Sequence, residues 1–303
     1  MTNRVYNSII GFIVGDALGS PVEFIDKSKL PPYISDFIAY GQHNMPKGAW
    51  TDDSSLMLCL LETINENGLD FQLLSEKMVK WLFYNYMTPT GKTFGVGRAT
   101  LYSIGKIKRG ASYLESGETR IQCNGNGSLM RILPLAFYLE DNDDKYKFIE
   151  TCSKITHAHP ISYISCSIFI EYFHQLIKHN DKLIAYKNMQ DKISRIYKTE
   201  DLTPFDRILK QNIYEQPIES LSGLGYVVST LEVVLYSFIN SNNYMDCVNL
   251  AISFGNDTDT NSAITGSLAG YFYEDVPEKL QKDLLKYDEI NEMINQFIKN
   301  TTR

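Results

Sequence analysis

The sequence predicts an all-α protein, folded as a single compact orthogonal bundle of helices. Three observations carry that expectation. Apolar residues recur at helical spacing along nearly the whole chain, and alternating strand patterns bounded by turn pairs are hard to find. In addition, 44% of the 303 residues are hydrophobic, enough for one continuous core. One domain over residues 1–303 is expected.

The elements follow in order. Tyr6, Ile9, Ile10 and Ile13 form a first stripe, and Leu56, Leu60, Leu61 and Ile64 a second, with Gly68 placed to end that helix. Leu73, Met78, Trp81, Leu82 and Met87 make a third. Met130 to Leu139 contains Pro134, which should kink that helix or delay its start. Pro160 suits a helix beginning, and Ile161, Ile164, Ile168 and Tyr172 follow it at helical spacing. Lys182 to Pro217 is polar and charged and reads as surface helix and loop. Val227, Val228, Leu231, Val234, Leu235 and Phe238 mark another buried helix. Ala263, Gly266 and Gly270 then form a small-residue face for close packing, and Gly11 and Gly15 are read the same way. The polar C-terminal end is the one place where disorder is expected.

Charge and cysteine content narrow the class. The net charge of −7 makes long nucleic acid a poor partner, because an acidic chain does not attract a phosphate backbone. Small anionic ligands stay open, since metals and helix N-termini supply local positive charge. The 5 cysteines form no C-x-x-C pair and are odd in number, which reads as reduced cysteine in a cytoplasmic protein. The opening residues lack the apolar run of a signal peptide, and no stretch reads as long and apolar enough to span a bilayer.

Two short segments hold most of the chemistry: Thr51-Asp52-Asp53-Ser54 and Asp257-Thr258-Asp259-Thr260. Each stands at a predicted helix start, where Asp, Ser and Thr commonly cap. One Asp satisfies that need, and two in each segment exceed it. Four carboxylates brought together would repel unless cations neutralise them, and oxygen ligands with threonine hydroxyls suit Mg²⁺ or Mn²⁺ over Zn²⁺. Capping and metal binding both remain open on the residues alone. The second segment also has the D-x-D-x-T form of a haloacid-dehalogenase-type phosphatase, but it lacks the strand that should precede it. As an EF-hand loop it fails, with Ser262 where the turn glycine belongs and Leu268 where the bidentate glutamate belongs.

Other residues carry two readings. Glu23 is either a solvated loop carboxylate or an acid/base group beside metals. Gly125-Asn126-Gly127-Ser128 is either a turn with an N-cap or a loop whose backbone N–H groups approach a diphosphate. His157 and His159 are either core or surface histidines or cleft residues. No Cys or His partners stand at zinc-site spacing.

Taken together, these segments resemble the ADP-ribosylglycohydrolase family. Gly11 to Gly19 with Pro21-Val22-Glu23-Phe24 is similar to its opening motif, and Thr51-Asp52-Asp53-Ser54 to its first metal motif. Gly125 to Arg131 with Pro134 resembles its central substrate loop, and Thr156-His157-Ala158-His159-Pro160 its histidine motif. Gly225-Tyr226-Val227-Val228 with Thr230-Leu231 follows, and Gly255 to Thr260 resembles the second metal motif. The resemblance implies a helical bundle of the family's type. It also implies two Mg²⁺ or Mn²⁺ ions held by Thr51, Asp52, Asp53, Asp257, Asp259 and Thr260. Glu23, Asp52 and Asp53 would be catalytic, with Gly125, Asn126, Gly127, Ser128 and His157 binding substrate. The implied reaction is hydrolysis of the glycosidic bond between ADP-ribose and a modified protein side chain or a small acceptor. The alternative is a member that binds ADP-ribose or serves structurally with little turnover. One departure stands out: many members carry Asp between Phe94 and Val96, where this chain has Gly95.

Overall fold

The computed structural model describes residues 2–140 and 142–301. Among these there is no strand. Two isolated bridges, Glu118 with His157 and Gly125 with Tyr226, are the β-type pairings found.

The fold is organised by its first and twelfth helices. The apolar run from Val5 to Leu18 makes α1 (Thr2–Gly19), which is buried along most of its length. It packs along α12 (Thr258–Tyr273), and the small-residue faces read from the sequence meet here. A Cβ added at Gly15 would stand 2.3 Å from the Ser262 carbonyl oxygen, and one at Gly270 would stand 2.1 Å from that of Asn7. Glycine is what lets the two backbones touch. By length and composition Thr2–Val22 is apolar enough to cross a membrane, contrary to the sequence expectation, yet 89% of that window is buried in the protein. That apolar surface packs on α12.

α2 (Asp52–Asn67) lies against α3 (Phe71–Tyr84), and Gly68 ends it at φ +65° as the sequence indicates. Met87 falls outside α3, which Asn85 closes in the left-handed region. α4 (Arg98–Lys108) packs on α3, and α5 (Pro134–Tyr138) starts late, at the proline. α6 (Lys145–Lys154) and α8 (Lys182–Ile196) flank α7 (Pro160–His179), whose first turn carries the proline. α8 is less superficial than its composition indicates: Ala185, Tyr186, Met189 and Ile193 repeat at helical spacing and bury one face on α7. A short α9 (Asp206–Leu209) leads to α10 (Val227–Ile239) and α11 (Tyr244–Ile252), both packed on α12.

α13 (Glu278–Lys282) precedes α14 (Tyr287–Thr301). Here the expectation of C-terminal disorder is corrected. Ile290, Ile294, Phe297 and Ile298 line one side of an otherwise polar helix and bury it on α2 and α1. Residues 302–303 lie outside the description.

Candidate metal centre and cleft

The N-terminus of α2 is capped without help from its two aspartates. Thr51 Oγ1 accepts from the Asp53 amide at 3.2 Å. Asp16, a lone carboxylate in the apolar α1, reaches across to accept from the Thr51 amide at 3.0 and 3.1 Å, the Ser54 amide at 3.1 Å and the Ser54 hydroxyl at 2.5 Å. These bonds satisfy the free amides of the first turn. Asp52 and Asp53 are left available for something else, which disfavours the capping reading of that segment.

The start of α12 behaves alike. Asp257 is its N-cap residue, yet its side chain makes no capping bond and accepts from Asn126 Nδ2 at 2.7 Å. Asn126 also donates to Thr230 Oγ1 at 2.9 Å, so the central loop, α10 and α12 share one hydrogen-bonded junction. Thr258 Oγ1 donates to the Gly19 carbonyl at 2.8 Å and ties α12 to the end of α1. One turn inside, Thr260 Oγ1 donates to Asp53 at 3.0 and 3.3 Å, across 207 positions of sequence. The two aspartate segments therefore meet.

Asp16, Asp53 and Asp259 bring carboxylate oxygens within 4.8 Å of one another, and Glu23, His43 and Asp259 do the same with their ligand atoms. Burial pushes Asp52, Asp53 and Asp259 well above the usual carboxylate range; neighbouring carboxylates, Glu23 for Asp52 and Asp259 and Asp16 for Asp53, add to the shift. Burial raises Asp16 to about 6 against the pull of its Ser54 and Thr51 hydrogen bonds. It raises Glu23 too, opposed by a hydrogen bond from His43 and reinforced by Asp257.

This donor set fits divalent cations. Asp259 Oδ1 is buried with no hydrogen-bond partner. Among the described residues, His43 on Glu23 is the ion-pair partner found within the cluster. Buried carboxylates held this close, without Lys or Arg, need an outside cation or protons.

The cluster opens into a cleft of ≈ 890 Å³ whose lining includes Glu23, Asp52, Asp53, Asp257, Asp259 and Thr260. Gly125, Asn126, Gly127 and His157 line it as well, together with Arg98 and Arg120. A Cβ on Gly127 would sit 2.9 Å from both His157 Cε1 and Thr100 Oγ1, so the loop passes too close for a side chain. His157 is buried, bonded through Nδ1 to Thr156 Oγ1 at 2.8 Å, and desolvation lowers it to about 3. It is neutral at physiological pH. His159 instead caps α7, accepting from the Ile161 amide. Ser128, read as a substrate contact, turns into the core, where Cys166 Sγ lies 3.6 Å from its hydroxyl. Its side chain lies outside the cleft lining, because the 3-10 turn over Asn126–Ser128 points it toward α7. Thr51 is buried beside the cluster, and its hydroxyl accepts one hydrogen bond, from the Asp53 amide.

Gly95 has φ +84°, and a Cβ there would lie 2.4 Å from Asp52 Oδ1. An aspartate at this position does not fit this backbone unless the loop moves.

The sequence model of the ADP-ribosylglycohydrolase family matches residues 1–303. The chain belongs to that family. This family member is similar to the ADP-ribosylarginine hydrolase Tri1 of Serratia proteamaculans, at 27% identity over 97% of this chain and 79% of that protein. It is similar to the ADP-ribosyl-[dinitrogen reductase] glycohydrolase of Rhodospirillum rubrum, at 26% identity over 91% and 88%. A solved structure described as an ADP-ribosylglycohydrolase-related protein complex superposes with a TM-score of 0.84, at 24% identity, over 99% of this chain and 98% of that one. That likeness confirms the all-helical fold. The enzyme class read from the sequence, an ADP-ribosylglycohydrolase, stands with the family match.

Sequence reading passed over three groups of this glycohydrolase. Asp16 has a signal, a single acid inside an apolar helical stripe. Arg131 was quoted within a motif without a role; it is fully buried and donates to the carbonyls of Gly127 at 2.5 Å and Cys152 at 3.0 Å, fixing the central loop from behind. His43 has no local signal, because its partner Glu23 is 20 positions away.

Proposed function

We propose that this glycohydrolase cleaves the bond between ADP-ribose and a modified protein side chain, using two Mg²⁺ or Mn²⁺ ions held by Thr51, Asp52, Asp53, Asp257, Asp259 and Thr260. The observation that carries this reading is the buried convergence of carboxylates from α1, α2 and α12, with one Asp259 oxygen left without a partner. Bound there, the ions would supply Lewis acidity and fix the approach of water to the sugar.

The chain's own residues supply the rest. Glu23 lies beside the carboxylates with its affinity for protons raised, which suits a group that moves a proton to the leaving atom or from water. The backbone of Gly125 and Gly127, free of side chains, suits a diphosphate, and Arg98 and Arg120 add positive charge to a cleft that is otherwise acidic. Neutral His157 adds a polar wall that brings no charge. Arginine-linked ADP-ribose is the first acceptor to test, because the Tri1 relative is named for it. A reducing cytoplasm suits five cysteines that are all free.

Arginine-linked and serine-linked ADP-ribosyl peptides and a small ADP-ribose conjugate, each incubated with Mg²⁺, with Mn²⁺ or with chelator, test the proposal. Release of free ADP-ribose that stops with chelator is expected. Metal-dependent binding of ADP-ribose without release from any substrate would replace hydrolysis by the binding-module reading, which the Gly95 departure keeps open.

A further inference from the structure

The loop before α2 is folded back on itself. Tyr40 and Asn44 both take positive φ, at +56° and +53°. The Tyr40 amide donates to Met45 O at 2.7 Å and the Asn44 amide to Gly41 O at 2.9 Å. The loop also docks on the segment that carries Glu23. The Gln42 amide donates to Pro21 O at 3.0 Å, and a Cβ on Gly41 would stand 2.2 Å from that same oxygen. This backbone arrangement delivers one side chain, His43, to Glu23. His43 Nε2 and Glu23 Oε2 are hydrogen-bonded.

Besides His43, Asp259 is the side chain that hydrogen-bonds the Glu23 carboxyl. The next residue, Phe24, takes φ +61°, an unfavourable conformation for a bulky side chain, and its ring is 70% exposed. Its amide is clamped by Asn256 O at 2.6 Å, one position before Asp257. The His43 ring meets Phe24 edge-on at 6.0 Å and Phe94 at 5.2 Å, and Phe94 precedes the glycine that abuts Asp52. His43 thus touches Glu23 directly and the Asp52 side of the centre through Phe94.

We infer that His43 is a positioning residue: its Nε2–H, presented by the folded loop 40–45, holds the Glu23 carboxylate in the one orientation from which it faces the cleft. The inference rests on the proposed proton-moving role of Glu23. Carboxylates with two rotatable bonds before the head group sample several orientations, and a fixed donor removes all but one.

The test uses His43→Phe, which keeps an aromatic ring but has no donor, and His43→Gln, whose amide places an N–H at similar reach. By the usual cost of losing a supporting hydrogen bond, kcat for ADP-ribosyl substrate should fall ~10–100-fold in His43→Phe and stay within about threefold of wild type in His43→Gln, with KM and Mn²⁺ affinity within about twofold in both. Hydrogen exchange at the Phe24 amide should quicken in His43→Phe and recover in His43→Gln. Exchange reads the positioning independently of turnover. A wild-type protein that releases no ADP-ribose therefore sinks the proposed function, while the exchange result still decides on His43. Full activity with unchanged exchange in His43→Phe, or a loss of Mn²⁺ affinity that parallels the loss of kcat, would overturn the inference.

Discussion

At the scale of single residues, the decisive feature is how many acids of the cluster are buried while, among the described residues, His43 on Glu23 is the ion-pair partner found there. Asp259 is 3% exposed and one of its oxygens is unpartnered, so its carboxylate is the group whose charge an ion would compensate most directly. Asp259→Asn keeps the shape and removes the charge. Mn²⁺ affinity by titration calorimetry and turnover should both fall, by about 100-fold or more if the oxygen is a ligand. A variant that keeps full metal-dependent turnover would remove Asp259 from the site. Gly95→Asp tests whether this loop has room for the aspartate that the family resemblance leads one to expect. Because its Cβ would meet Asp52 Oδ1 at 2.4 Å, the substitution should displace Asp52 or the loop and weaken metal binding. A gain in turnover would mean that the loop adapts readily.

At the scale of elements, the α1–α12 contact positions the centre. α1 carries Asp16 and ends just before Glu23, while α12 begins with Asp257, Asp259 and Thr260. Any separation of the two helices pulls the ligands apart. Gly15→Ala forces a methyl against the Ser262 backbone, where no side chain can rotate away. Urea unfolding should show a loss of about 1–3 kcal/mol, with weaker metal binding alongside. Gly97→Ala, whose added Cβ meets nothing within 4 Å, should change stability by no more than about 0.5 kcal/mol. Equal effects of the two substitutions would show that the close approach of α1 and α12 is not what the glycines provide.

At the scale of the whole molecule, the buried ionisable groups tie stability to pH and metal. The pKa of Asp16 rises from 3.8 to about 6 on folding, so its contribution is full below 3.8 and is lost as pH rises through 6. Asp52, Asp53 and Asp259 act in the same direction. The buried histidines oppose them. Desolvation holds His157 at about 3 and His174 at about 4, below the ordinary 6.5, so their contribution is present above 6.5 and is lost as pH falls toward those values. A metal bound at the cluster would replace protons on the carboxylates and leave these two histidines alone. The rise in Tm on adding Mn²⁺ should therefore grow as pH rises and the raised carboxylates give up their protons, reaching the equivalent of about 2.7 kcal/mol at a hundredfold excess over Kd. A metal-induced shift that is constant from pH 5 to 8 would contradict this.

Helices with regular stripes were legible from sequence because local periodicity reports which face is buried, and α2, α7 and α10 follow it closely. α14 was misjudged because a few apolar residues in a polar background are a weak stripe until α2 and α1 supply the surface they cover. The aspartate segments were legible too, since two acids at each helix start exceed what capping uses. What only the tertiary structure decided is which of these groups meet, and through what. Asp16 shares the capping of α2 with Thr51, Asn126 holds Asp257, and Ser128 faces the core. These facts depend on contacts between residues far apart in the chain, and local sequence does not encode the distance between two segments until packing has brought their backbones together.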